Sequence, residues 1–202
     1  ENGQLVALRE SCGRDHARNV AVYVDELLRE TGVMPDELDA VAVGKGPGSY
    51  TGLRIGVSFA KGLCYGLQIP LIAVCSLDAL AEVAIEDHEA GILDVEAWDE
   101  ATLCPMVDAR RMEVYTAVFE NGIQLTETAP VIIDENSFAE YLEQGPCLFI
   151  GDGAGKCADV IKHPNAQFCQ CWPKASAMLV PAMAAYKEKR FEDVAYFEPF
   201  YL

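Results

Sequence analysis

Lys45-Gly46-Pro47-Gly48-Ser49-Tyr50-Thr51-Gly52 joins a strand-like run to a helical one. At such a junction backbone N–H groups and a helix dipole can cradle a phosphate. Gly46, Gly48, Ser49 and Thr51 are the candidate phosphate-binding residues. The spacing excludes the usual named loops. A Walker A loop ends in Gly-Lys-Ser/Thr, whereas Lys45 stands near the start. The dinucleotide fingerprint needs glycine where Ser49 stands, and a nucleophile elbow needs glycine at Pro47 and Thr51. Gly153-Ala154-Gly155-Lys156 is no Walker A either, because Cys157 replaces the magnesium-binding hydroxyl. Turns of this kind serve tight strand–helix crossings more often than ligands.

Two other groupings could carry chemistry. Cys157, His163, Cys169 and Cys171 are close in sequence, and Cys169 and Cys171 share a face if Gln167–Cys171 is extended. Their spacings differ from the Cys-x2–4-Cys knuckles of zinc sites, so ordinary thiols are expected. Asp108 follows a strand, where general bases often sit, but no nucleophile or second carboxylate accompanies it. A structural ion pair with Arg110 or Arg111 is the expectation.

The elements that position these residues alternate. A strand is expected at Gln4–Glu10, with the Asn2-Gly3 turn before it implying an earlier strand lost from the front. A helix over about Asp15–Thr31 presents Ala17, Val20, Ala21, Val24, Leu27 and Leu28 on one face, with Gly32 as its stop. Val22 and Tyr23 lie off that face. Then come a strand at Leu38–Val43, a helix at about Gly52–Leu67, a strand at Leu71–Val74 and a helix at Leu77–Ile85. Acidic Asp87–Thr102 reads as a connection. Further strands are expected at Leu103–Val107, Met112–Phe119, Pro130–Ile133 and Cys147–Ile150, with a hairpin turn at Asn121-Gly122. Helices are expected near Ser137–Gln144, Ala154–Lys162 and Ala175–Lys189. Alternating strand and helix gives an α/β fold. Two lobes are expected, residues 1–100 and 101–202, the last helix packing back on the first lobe.

The helix after the first turn contains Gly52, Gly56, Gly62 and Gly66, each costing ~1 kcal/mol relative to alanine. With Ser58 and Ala60 they permit close approach of another backbone, either the chain's own sheet or a second protein. In the second case Leu53, Phe59 and Leu63 are the apolar anchors. The expected interface comprises His16, Val22, Tyr23, Gly52, Leu53, Gly56, Phe59, Ala60 and Leu63. Gly56→Leu is then expected to block pairing while the monomer stays folded.

Composition sets outer limits. The 202 residues are 51% hydrophobic and 23% charged, enough for a packed core. Fifteen Lys and Arg against 32 Asp and Glu give a net charge of −17, which repels phosphate backbones and anionic lipid. No apolar run has the length of a membrane span. The eight cysteines are scattered rather than dense, consistent with reduced thiols and a cytoplasmic location.

Gly44-Lys45-Gly46-Pro47-Gly48-Ser49-Tyr50-Thr51-Gly52-Leu53-Arg54-Ile55-Gly56 resembles the signature of the TsaB (YeaZ) family. The resemblance extends to Asp15-His16, Pro70–Val74 with Ser76-Leu77, Asp108–Tyr115 and Glu198-Pro199-Phe200-Tyr201-Leu202. It implies two RNase H-like lobes of the actin/Hsp70 type. It also implies a non-catalytic role in making N6-threonylcarbamoyladenosine at position 37 of tRNA. The implied partners are a metal-dependent transferase, TsaD, and an ATPase subunit, TsaE. Transfer RNA is touched only through the complex, and the isolated chain is expected to pair with itself. The homologous catalytic subunits use His-x-x-x-His on the first helix, where i and i+4 share a face. Here His16 is followed by Val20, so no metal is expected, and no cofactor. The other classes considered are an ATP-binding ATPase or kinase of the same fold, and a glycoprotease-like peptidase.

Overall fold

The computed structural model describes residues 3–11, 16–95 and 97–201, with side chains from residue 19 onward in the first helix. The chain forms two compact units, one from residues up to 75 together with 178–201, the other from residues 76–177. The units thus meet in sequence at Cys75/Ser76 rather than near residue 100, because the helix and acidic connection after Cys75 pack within the second unit.

In the first unit, β1 (Val41–Gly46) and β2 (Leu71–Cys75) pair in parallel from Val41↔Leu71 to Gly46↔Cys75. Parallel strands need a crossover, and α2 (Tyr50–Leu67) supplies it. The Ser49 hydroxyl accepts from the Gly52 N–H at 3.4 Å at the start of α2, and Gln68 ends it at φ +55°. Strand β1 reaches into the glycine-rich stretch, since Gly44 and Gly46 pair with Val74 and Cys75. One apolar cluster joins Ala60, Cys64 and Leu71 to Val41, Val43, Ile69, Val194 and Phe197. A second joins Ile72 and Val74 to Ala182 and Ala185 of α6 (Leu179–Lys187). The period-2 alternation of β2 therefore feeds two helices, one on each face. Helix α1 (His16–Thr31) ends at Gly32, whose φ of +71° is the left-handed stop expected there.

Gln4–Ser11 is not a strand. Leu5 and Val6 are exposed, and no ladder partner for them is found among the described residues. Arg9 instead holds the segment to α1 through Glu26 at 3.3 Å and through Glu30. Asn2 of the expected turn, Cys12 and Asp15 lie outside the described residues.

The second unit centres on β3 (Thr102–Asp108). On one edge it pairs in parallel with β8 (Cys147–Ile150), which pairs in parallel with β9 (Ala166–Cys169). On the other edge it pairs antiparallel with β4 (Glu113–Thr116) and, in the same register, with Phe119 of β5 (Phe119–Glu120). The strand expected over Met112–Phe119 is thus interrupted opposite Pro105, which has no N–H to donate. β5 turns through Asn121-Gly122 into β6 (Ile123–Gln124), with φ of +50° and +74° at the turn. β7 (Ala129–Ile132) pairs with β4.

Helix α3 (Ser76–Glu89) lies on β3 and β8, burying Leu77, Leu80 and Val83, and runs four residues past the expected Ile85. The ring of His88 stacks on Trp98 at 4.1 Å, folding the acidic connection back onto the helix end. All of Cys147–Ile150 is buried, as befits an inner parallel strand. Phe149 lies 5.2 Å from Phe138 and 5.1 Å from Phe168, ring to ring. Short helices α4 (Ala139–Leu142) and α5 (Ala154–Cys157) complete the unit. Every cysteine among the described residues is a free thiol.

Candidate functional site

The glycine-rich turn is closed by the chain's own C-terminal strap, residues 191–201. The Phe200 N–H donates to the Lys45 carbonyl at 2.7 Å. Gly46, at φ +108°, would bring a Cβ to 2.7 Å from the Phe200 carbonyl oxygen and 3.0 Å from a Leu53 methyl. Only glycine meets both conditions. Lys61 reaches from α2 to the carbonyls of Phe197 at 2.8 Å and Ala195 at 3.3 Å. The Glu192 N–H donates to the Leu71 carbonyl, bridging the strap to β2. Of the candidate phosphate-binding residues, Gly46 is therefore buried under the strap and Ser49 caps α2. Gly48 has open space beside it and Thr51 is exposed.

Helix α2 divides its faces in a way the spacing alone does not reveal. Ala60 is 3% exposed and belongs to the core with Cys64 and Leu71, so it cannot face a partner. A Cβ on Gly56 would lie 3.7 Å from Val43 on the chain's own β1, in ordinary van der Waals contact, so this glycine faces the chain's own sheet. Gly62 and Gly66 are different. Both are exposed, and an added Cβ meets nothing within 4 Å among the described residues. Arg54, Ser58, Gly62, Tyr65 and Gly66 form the open stripe of the helix. Gly52, Leu53, Phe59 and Leu63 are half-buried beside it, as is Tyr23 on α1, while Val22 is exposed. The side chain of His16 lies outside the described residues.

Sequence reasoning missed the cluster at the start of α2. Arg54 donates through Nη1 to the Tyr50 hydroxyl at 2.7 Å, and its guanidinium carbon lies 5.3 Å from the Tyr50 ring centroid. The Tyr201 ring lies 5.0 Å from that of Tyr50. The i, i+4 spacing of Tyr50 and Arg54 signals their half of the cluster. Nothing local in sequence signals Tyr201.

In the second unit, Asp108 pairs with Lys156 rather than with Arg110 or Arg111. The Lys156 ammonium also donates to the carbonyls of Glu113 at 2.6 Å and Arg111 at 2.9 Å. The Asp108 carboxylate accepts from the Arg110 N–H at 2.8 Å. These bonds hold a turn in which Arg110 and Arg111 have φ of +68° and +45°. Partial burial pushes the Asp108 carboxyl up, but Lys156 and the Arg110 N–H outweigh it and hold it below the ordinary aspartate range. Asp152 accepts from the Asp108 N–H at 2.9 Å, and burial raises its carboxyl. Gly153 packs tightly here: a Cβ would come within 2.9 Å of Val114, the close crossing expected of that turn.

The Cys157–Cys171 grouping gathers no set of three metal-binding side chains among the described residues. Cys157 is buried, burial pushes the Cys171 thiol up to about 12, and His163 accepts the Asn165 N–H at 3.2 Å. No helix among the described residues is long and apolar enough to cross a membrane.

Comparison with known proteins gives these features a context. The family model described as "TsaD: tRNA N6-adenosine threonylcarbamoyltransferase" matches residues 9–195. The chain is 30% identical over 209 residues to the tRNA threonylcarbamoyladenosine biosynthesis protein TsaB of Escherichia coli, covering 100% of this chain and 86% of that protein. The Bacillus subtilis protein of the same name is 38% identical over 144 residues, 68% of this chain and 57% of that protein. That match spans less than two thirds of the Bacillus relative. A tRNA N6-adenosine threonylcarbamoyltransferase of Nitratidesulfovibrio vulgaris is 51% identical over 70 residues, 35% of this chain and 19% of the enzyme. Among solved structures, YeaZ from Pseudomonas aeruginosa superposes with a TM-score of 0.76 at 28% identity, covering 96% of this chain and 87% of that one. Sequence and fold agree along the chain's length: it belongs to the TsaB (YeaZ) family of tRNA threonylcarbamoyladenosine biosynthesis proteins, whose α/β fold is of the TsaD type.

Proposed function

We propose that the chain is a non-catalytic subunit in the formation of N6-threonylcarbamoyladenosine at position 37 of tRNA. It pairs through α1 and α2 with a TsaD-type transferase and supports the docking of a TsaE-type ATPase. The pairing carries the function: this chain shapes its partner, and the partner performs the transfer. The chain acts in the cytoplasm, needs no cofactor of its own, leaves tRNA contact to the complex, and pairs with itself when isolated. Its two units are read as RNase H-like lobes.

The open stripe of α2 supports this reading best. Gly62 and Gly66 cost the isolated helix ~1 kcal/mol each, and no other element among the described residues comes within 4 Å of where their Cβ atoms would stand. A second helix settling there offsets that cost by approaching closer than the usual ~8–10 Å between axes permits with larger side chains. Half-buried Leu53, Phe59 and Leu63 border the stripe and supply apolar area.

The test is co-purification with the transferase, followed by measurement of the modified nucleoside in tRNA. Wild-type chain is expected to form a stable complex and to restore modification. Gly62→Leu is expected to remain folded and to lose both. A Gly62→Leu chain that binds and supports modification as well as wild type overturns the proposed face.

A further inference from the structure

We propose that the C-terminal strap completes the docking face, with Tyr201, Tyr50 and Arg54 forming a fixed aromatic–guanidinium end that receives a carboxylate from an acidic helix of the partner. This rests on the pairing proposed above and names the chemistry that sets its register.

Charge distribution carries the argument. Although the chain has 32 acidic residues, no Asp or Glu occurs from Ala40 to Leu77, while Lys45, Arg54 and Lys61 fall within that stretch. Lys61 is spent on the carbonyls of the strap. Arg54 is exposed, and among the described residues its hydrogen bond is to the Tyr50 hydroxyl. A guanidinium has five N–H donors in a planar fork, so it can still take a carboxylate with two parallel bonds. Among the described residues none of the strap's three carboxylates pairs with it: Asp193 accepts from the Ala195 and Tyr196 N–H groups, Glu192 is half-buried and Glu198 is exposed.

The strap fixes the geometry. Phe200 is held by Lys45, and Tyr201 follows it directly onto the Tyr50 ring. Tyr50 and Tyr201 remain 58% and 43% exposed, large rings on open surface at the end of the proposed face. Tyrosine and arginine are the residue types that dominate binding energy once water is excluded around them. A partner carboxylate on Arg54 is then desolvated beside the Tyr50 ring, where a charge pair is worth more than at an open rim.

The experiment titrates labelled wild-type chain, Arg54→Ala, Tyr201→Ala and Tyr50→Phe with the transferase at two salt concentrations, with a thermal melt of each chain alone. Arg54→Ala and Tyr201→Ala are each expected to weaken binding about tenfold or more. Tyr50→Phe removes only the hydroxyl that holds Arg54 and is expected to fall between them and wild type. The salt dependence is expected to flatten for Arg54→Ala alone, and melting of the variants to stay close to wild type. Unchanged affinity in Arg54→Ala and Tyr201→Ala, or losses that merely follow lowered melting, overturn this inference while leaving the pairing intact. Wild-type chain that fails to bind overturns the pairing and this inference with it.

Discussion

The carbonyl oxygen of Phe200 lies 2.7 Å from the point a Cβ on Gly46 would occupy. A glycine near the start of the family signature is thereby explained by a residue more than 150 positions later. Gly46→Ala must both hold a left-handed φ and push the strap away. Urea denaturation is expected to show a loss of roughly 2–4 kcal/mol. Protease digestion is expected to cut the variant within residues 191–201 earlier than wild type.

Lys156 bonds the Asp108 carboxylate and the backbone of the Arg110–Glu113 turn. Lys156→Met keeps the length of the stem and removes every one of those bonds. A destabilisation of about 2–3 kcal/mol is expected at pH 7. The Asp108 carboxyl is lowered in the folded state, so the pair's contribution is complete above the ordinary aspartate value of 3.8. It disappears as pH falls through the lowered folded value. The gap between variant and wild type, followed by thermal melts, is therefore expected to narrow only in strong acid.

Asp152 shows the opposite sign. Burial raises its carboxyl, so the charged form is a burden above the ordinary value of 3.8. Asp152→Asn keeps an oxygen for the Asp108 N–H and drops the charge. Its melting temperature at pH 7 is expected to exceed wild type by about 2 °C, on a scale of ~2–4 °C per kcal/mol for a chain of this size. The advantage is expected to vanish below pH ~3.8, where wild type is neutral in both states.

Among the described residues Gly62 has no neighbour that a methyl group would strike. Gly62→Ala is expected to stabilise the isolated chain by about 0.5–1 kcal/mol through helix propensity and a less flexible unfolded state. Calorimetry of the isolated chain measures it directly. Loss of stability instead would mean that the glycine already serves the monomer.

Much of this was legible in sequence where one local signal sufficed. Cys147–Ile150 is a short unbroken apolar run, and it is the buried strand β8 at those bounds. Asn121-Gly122 marked its hairpin because few other pairs tolerate two positive φ values in succession. The face of α2 was harder to read. Gly56 and Gly62 look alike in a list of spacings, yet one points at Val43 and the other into open space. For Asp108 the adjacent arginines are the partners that nearness in sequence suggests, whereas Lys156 arrives from 48 residues away. Gln4–Glu10 had strand-like composition, but a strand exists only where another offers hydrogen bonds. The strap had no periodicity to betray it.

The first unit draws its residues from both ends of the chain, and the second from the uninterrupted stretch 76–177. During synthesis the second unit is complete while α6 and the strap are still unmade. The side of β2 bearing Ile72 and Val74 waits uncovered until α6 has been made. The first unit therefore matures after the second, its residues up to 75 staying dependent on residues 178–201 for their cover.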